Sequence, residues 1–136
     1  MDKQNWYEYV KASYELVTES TQKYSLQLEG EVEAYVIHML ARNFENVQIG
    51  AEPIAIKILE AMHQQNKYLF RDIADECLLI YSYPFKRNRW PSENYYADMG
   101  MLGYGMSGTE FMETNFMAAS RVLKAMFTVN PLHRLA

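Results

Sequence analysis

The chain has 136 residues and a formal net charge of −4, which bound it to one domain of ordinary size and exclude a general attraction to nucleic-acid backbones or anionic membranes. With 49% hydrophobic and 22% charged residues it has a globular rather than a disordered composition. No window carries the roughly 20 apolar residues that a membrane-spanning helix needs, and Cys77, the single cysteine, excludes an intrachain disulfide.

The first segment places Trp6, Tyr9, Val10, Ser13, Leu16 and Val17 on one stripe at helical spacing, fading in the polar stretch Thr18 to Ser25. Gly30 punctuates the chain. Val32, Tyr35, Val36, Met39 and Leu40 then repeat at three and four residues toward Phe44, with Glu29, Glu31 and Glu33 at the end where the helix dipole favours anions. Gly50 and Pro53 mark the next start, and Ala55, Ile58, Leu59 and Met62 are expected as its core face.

From Ile54 to Tyr83 neither Gly nor Pro interrupts the pattern, which permits one long helix or two helices turning near Gln64, Gln65 and Asn66. Typical helix lengths favour the hairpin. Its second limb would turn Leu69, Phe70, Ile73, Cys77, Ile80 and Tyr81 inward and stop at Pro84. Phe85 to Pro91 reads as a loop whose short basic cluster, Lys86, Arg87 and Arg89 beside Trp90, faces water.

Ser92 caps a helix bearing Tyr95, Tyr96, Met99 and Met106. Thr109 with Glu110 opens a last helix along Met112, Phe116, Ala119, Leu123, Met126 and Phe127. Residues 129–136, with Pro131, should be a ragged tail. No repeat and no convincing strand pair is visible. The expectation is an all-α, compact, single-domain bundle of five or six helices spanning residues 1–136.

The least ordinary stretch is Tyr95 to Gly108, YYADMGMLGYGMSG, with four glycines among tyrosines and methionines. Ala97, Gly100 and Gly103 fall three apart and make a shallow groove on a helix that lets another backbone or a small ligand approach closely. The accumulated glycines should kink or end that helix around Gly103 to Gly108. Gly103 to Gly108 also matches GxGxxG, but that fingerprint requires a preceding strand and a later acidic residue, and both are missing. Ser107 lacks the final glycine of a nucleophile elbow.

Glu60 and His63 have the E-x-x-H spacing of helical metal sites. Asp72, Asp75 and Glu76 share a face of the following limb and would approach that pair in a hairpin. A complete di-metal site needs a second such pair, which His38 and His133 do not supply, so a solvated charged face with Lys67 and Arg71 is favoured. Cys77 reads as a small buried side chain, having no nearby His or Lys to activate it.

The segment Asp72 to Tyr104, an acidic helix passing into an aromatic loop and then Tyr95-Tyr96, Met99-Gly100 and Tyr104, resembles a group of small bacterial all-helical proteins of uncharacterised function with a Tyr-Tyr-x-x-Met-Gly segment. Members carry Ala and Tyr after the Met-Gly step, where this chain has Gly103-Tyr104. The resemblance covers about a quarter of the chain and implies a helical bacterial cytoplasmic protein. It supplies no reaction and no active residues.

The sequence therefore favours a non-catalytic binding or interaction module that self-associates or takes a protein partner, with Tyr95, Tyr96, Met99, Gly100, Gly103 and Tyr104 lining the surface or ligand pocket. No cofactor is implied. Two alternatives stand beside it. One is a metal-dependent enzyme using Glu60, His63, Asp72 and Asp75, and the other is a small acidic chaperone or adaptor presenting an apolar helix face.

Overall fold

The computed structural model describes residues 3–45, 53–83 and 92–129. Every regular element among them is a helix: α1 (Lys3–Lys23), α2 (Gly30–Arg42), α3 (Ile54–Gln64), α4 (Lys67–Ser82), α5 (Glu93–Met106), α6 (Glu110–Thr114) and α7 (Phe116–Val129). The expectations for Gly50, for the basic loop 85–91, for His133 and for the tail beyond 129 lie outside the described residues.

The all-helical class holds, but the described helices number seven rather than five or six. The extra one arises at Asn115, which divides the expected last helix. Its backbone N–H and its Nδ2 both donate to the Phe111 carbonyl, at 3.1 and 2.8 Å, so a side chain competes for a helical acceptor and ends α6 there. Ser92 and Thr109 do stand at the N-cap positions of α5 and α6, yet neither hydroxyl caps. Thr109 Oγ1 lies 2.8 Å from Ser107 Oγ instead.

Ile54 to Tyr83 forms the hairpin. Gln65 takes a left-handed conformation at φ 51°, and Asn66 caps α4 by accepting from the Tyr68 and Leu69 amides at 3.0 and 3.3 Å. A left-handed residue followed by a capping asparagine is what stops one helix and starts the next without Gly or Pro. The left-handed Gly108, at φ 77°, likewise follows the end of α5.

Helix α4 is the axis of the molecule. It packs on α3, α5 and α7, while α1 lies along α2 and against α7. Every residue from Ile73 to Ile80 is buried, so the inward set is wider than one amphipathic stripe and takes in Asp75 and Glu76. The main core joins Val17, Val36, Met39, Leu78, Tyr104, Phe116, Leu123 and Phe127. A second cluster of Ile54, Ile58, Ala61, Phe70, Ile73 and Cys77 seats α3 on α4.

One core face was misassigned by periodicity. On α3 the buried residues are Ile54, Ile58 and Ala61, whereas Leu59 and Met62 are 65% and 54% exposed and Ala55 is also exposed. The helix is apolar on two arcs, and at about 100° per residue either arc satisfies helical spacing. Only the packing against α4 chooses between them.

Candidate functional site

Tyr104 enters the core from α5 with no exposure and donates its hydroxyl to Asp75 Oδ1 at 2.7 Å. Tyr35 of α2 donates to the same oxygen at 2.6 Å, and Arg42 Nη2 donates to Oδ2 at 2.8 Å. The two tyrosine rings meet edge to face at 5.8 Å, and the Arg42 guanidinium lies over the Tyr35 ring. A 2%-exposed carboxylate thus ties α2, α4 and α5 together through three donors. Burial pushes the Asp75 carboxyl above its ordinary range, while the bonds from Tyr35, Arg42 and Tyr104 favour the anion.

Beside it Lys57 Nζ of α3 donates to Glu76 Oε1 at 2.6 Å. These two ion pairs form the inner wall of a half-open cavity of about 520 Å³ between the end of α2, the polar strip of α3 and the start of α4. Glu60, Arg71 and Asp72 complete its charged lining, and Arg71 Nη2 meets Asp72 Oδ1 at 3.2 Å.

The structure separates the sequence-based candidates. Glu60, Asp72 and Asp75 line this one cavity, but the exposed His63 is not part of its lining. Among the described residues no group of three or more His, Cys, Asp and Glu side chains is placed to hold a metal ion. Asp75, the innermost of the four, is engaged by two tyrosines and an arginine.

On α5, Gly100 and Gly103 are buried against the chain's own atoms. A Cβ at Gly100 would stand 2.5 Å from the Phe116 ring, and one at Gly103 would stand 2.9 Å from the Phe70 carbonyl oxygen. The Ala97–Gly100–Gly103 groove is filled from within, by α4 and Phe116, so the close approach expected at these glycines is made by the chain's own helices. Tyr95, Tyr96 and Met99 are half-buried around the second core cluster. Gly103 and Gly105 lie inside a helix, which removes the phosphate-cradling geometry of GxGxxG. His38 is exposed, with Nδ1 against the Ala34 carbonyl.

Glu76, expected on one face with Asp72 and Asp75, does line the cavity with them, whereas sequence reasoning missed Tyr35, Arg42 and Lys57 as members of a shared site. The available signal was the Asp75-Glu76 step inside a limb otherwise rich in apolar residues, since two acids there need buried donors.

Three protonated groups make the fold sensitive to alkali. Burial first, and then the Asp75 charge, raises the Tyr104 and Tyr35 hydroxyls above their ordinary value of 10.0. Burial and Glu76 push the Cys77 thiol from 9.0 up to about 12. Folded values above unfolded ones give stability that is complete below the unfolded values and is lost as pH rises through the folded ones. Melting temperatures followed by circular dichroism are therefore expected to fall steadily as pH rises beyond 9.0, the ordinary thiol value. Tyr104→Phe should flatten that decline, and an unchanged slope would remove Tyr104 from the cause.

No family model, curated protein or solved structure matches this chain. No helix among the described residues is long and apolar enough to cross a membrane.

Proposed function

We propose that the protein is a non-catalytic interaction module that associates with a second copy of itself through the outer arc of α3. The observation that carries this reading is the exposure of Ile56, Leu59 and Met62, which are 51%, 65% and 54% accessible on consecutive turns of one helix. Three large apolar side chains aligned along an 11-residue helix, about 16 Å long, form a contiguous stripe rather than scattered single residues. A straight stripe of this kind is self-complementary about a two-fold axis, as the commonest homodimers require.

The same helix gives the reading its economy of parts. Ile54, Ile58 and Ala61 fasten α3 to α4, Lys57 and Glu60 face the cavity, and the remaining arc is apolar with nothing of the described chain covering it. Support for the metal-dependent alternative is lacking among the described residues, where no metal-binding group assembles. The adaptor alternative shares this surface and differs only in the occupant.

Light scattering after size exclusion tests the proposal. The wild-type protein is expected at twice its 16.0 kDa chain mass, and Leu59→Glu at the single mass with an unchanged far-ultraviolet spectrum, its melt falling only by what association adds to the folded state. A wild-type monomer at micromolar concentrations, or a dimeric Leu59→Glu variant, would overturn it.

A further inference from the structure

The cavity between α2, α3 and α4 has a charge pattern that its own ion pairs do not close. Asp75 has Arg42, Glu76 has Lys57 and Asp72 has Arg71. Glu60 is left without a cationic partner among the described residues, its Oε1 meeting only the Gln64 amide at 3.5 Å. On α4, Arg71 Nε is buried with no hydrogen-bond partner among the described residues. The α3 side of the lining thus lacks a cation and the α4 side lacks an acceptor.

We propose that this cavity binds a small zwitterion of the amino-acid type, its carboxylate held by Arg71 and its ammonium by Glu60. A simple anion would enter a wall with three basic and four acidic side chains, and a simple cation would leave the Arg71 donor unsatisfied. A molecule carrying both charges satisfies both groups at once. The volume of about 520 Å³ accommodates an amino acid with its remaining water and falls in the ordinary range for small-molecule sites.

The geometry around Arg71 fits this class of ligand. The Arg71 side chain is 31% exposed and that of its present partner, Asp72, is 58% exposed, the two meeting at 3.2 Å. Such a surface pair contributes little. A ligand carboxylate that displaces Asp72 meets Nη2 first, and where that displacement also opens the buried Nε it takes both donors side by side, the bidentate arrangement that arginine offers and lysine does not. The inner wall stays fixed, because Asp75 and Glu76 are buried and held by donors from α2, α3 and α5. Buried ion pairs give little net stability over apolar packing, so their presence beside a cavity accords with a binding role better than with a purely structural one.

This inference is independent of the α3 dimer face. The test is a thermal-shift screen of free amino acids at millimolar concentration, followed by calorimetry of the best binder with its methyl ester and its N-acetyl derivative. Saturable binding is expected for the free amino acid, with at least tenfold weakening for each blocked form. Arg71→Gln and Glu60→Gln should each weaken binding similarly while leaving the far-ultraviolet spectrum unchanged, and Arg71→Lys, which keeps the charge but not the fork, should not restore it. Absence of binding by every amino acid would overturn the proposal. So would equal binding of the esters or N-acetyl forms, or unchanged affinity in the folded Arg71→Gln and Glu60→Gln proteins.

Discussion

Asp75→Ala is expected to be among the most damaging single substitutions in the chain, costing about 3–5 kcal/mol. The loss does not come from the carboxylate alone. Removing it leaves the Tyr104 hydroxyl, which has no access to water, without the acceptor it now holds at 2.7 Å, and strands the half-buried Tyr35 hydroxyl and the Arg42 guanidinium as well. A buried donor without a partner costs about 1–3 kcal/mol, more when charged. Tyr104→Phe removes one donor and should cost only about 1–2 kcal/mol, since Tyr35 and Arg42 still serve the carboxylate. Chemical denaturation of the three proteins measures this directly. An Asp75→Ala variant within about 1 kcal/mol of wild type would mean that the network does not anchor α2, α4 and α5.

The second large effect is expected at Gly103. A Cβ there would meet the Phe70 carbonyl oxygen at 2.9 Å and Ala74 Cβ at 3.0 Å, and a backbone oxygen in the central helix cannot step aside. Gly103→Leu should therefore cost about 3 kcal/mol or more through overpacking, exceeding the roughly 1 kcal/mol that a helix gains on losing a glycine. Gly105 on the same helix supplies the contrast. Its added Cβ would approach only the Glu113 carboxylate, at 3.1–3.3 Å, the far end of an exposed side chain that can move. Gly105→Ala is expected to raise stability by about 0.5–1 kcal/mol. Equal effects at the two positions would show that helix propensity rather than helix approach governs the segment.

These two sites also mark how far the sequence could be read. Glycines spaced three apart signalled close approach, and close approach is what Gly100 and Gly103 provide. The identity of the approaching group, α4 with Phe116, depends on tertiary pairing that spacing does not encode. The hairpin at Gln65 and Asn66 was readable as one of two choices because helix length limits were at work, although no Gly or Pro announced it. The break at Asn115 was hidden for a different reason. An asparagine inside an apolar-periodic run ends a helix only when its amide turns back to a carbonyl four residues earlier.

Helix α3 shows the limit of periodicity most clearly. Ile54, Ile58 and Ala61 form one arc and Ile56, Leu59 and Met62 another, and nothing local ranks them. The candidate site was legible in pieces. Glu60, Asp72 and Asp75 were singled out by spacing and do line one cavity, but two of the basic side chains that complete it, Arg42 and Lys57, come from α2 and from the same strip of α3 as Glu60. Only the fold brings Arg42 and Lys57 to Asp75 and Glu76.

The burial of α4 on every side, from Ile73 to Ile80, has a consequence for descent. Eight successive positions have no free face on which substitutions could accumulate without compensation. In any lineage that keeps this architecture, change within that segment must be matched by change in α5 or α7, whereas the outer surfaces of α1 and the first turns of the chain are free to drift. Kinship between distant versions of this protein would therefore survive longest in the middle of α4, and a search for relatives would do best to begin from those eight residues.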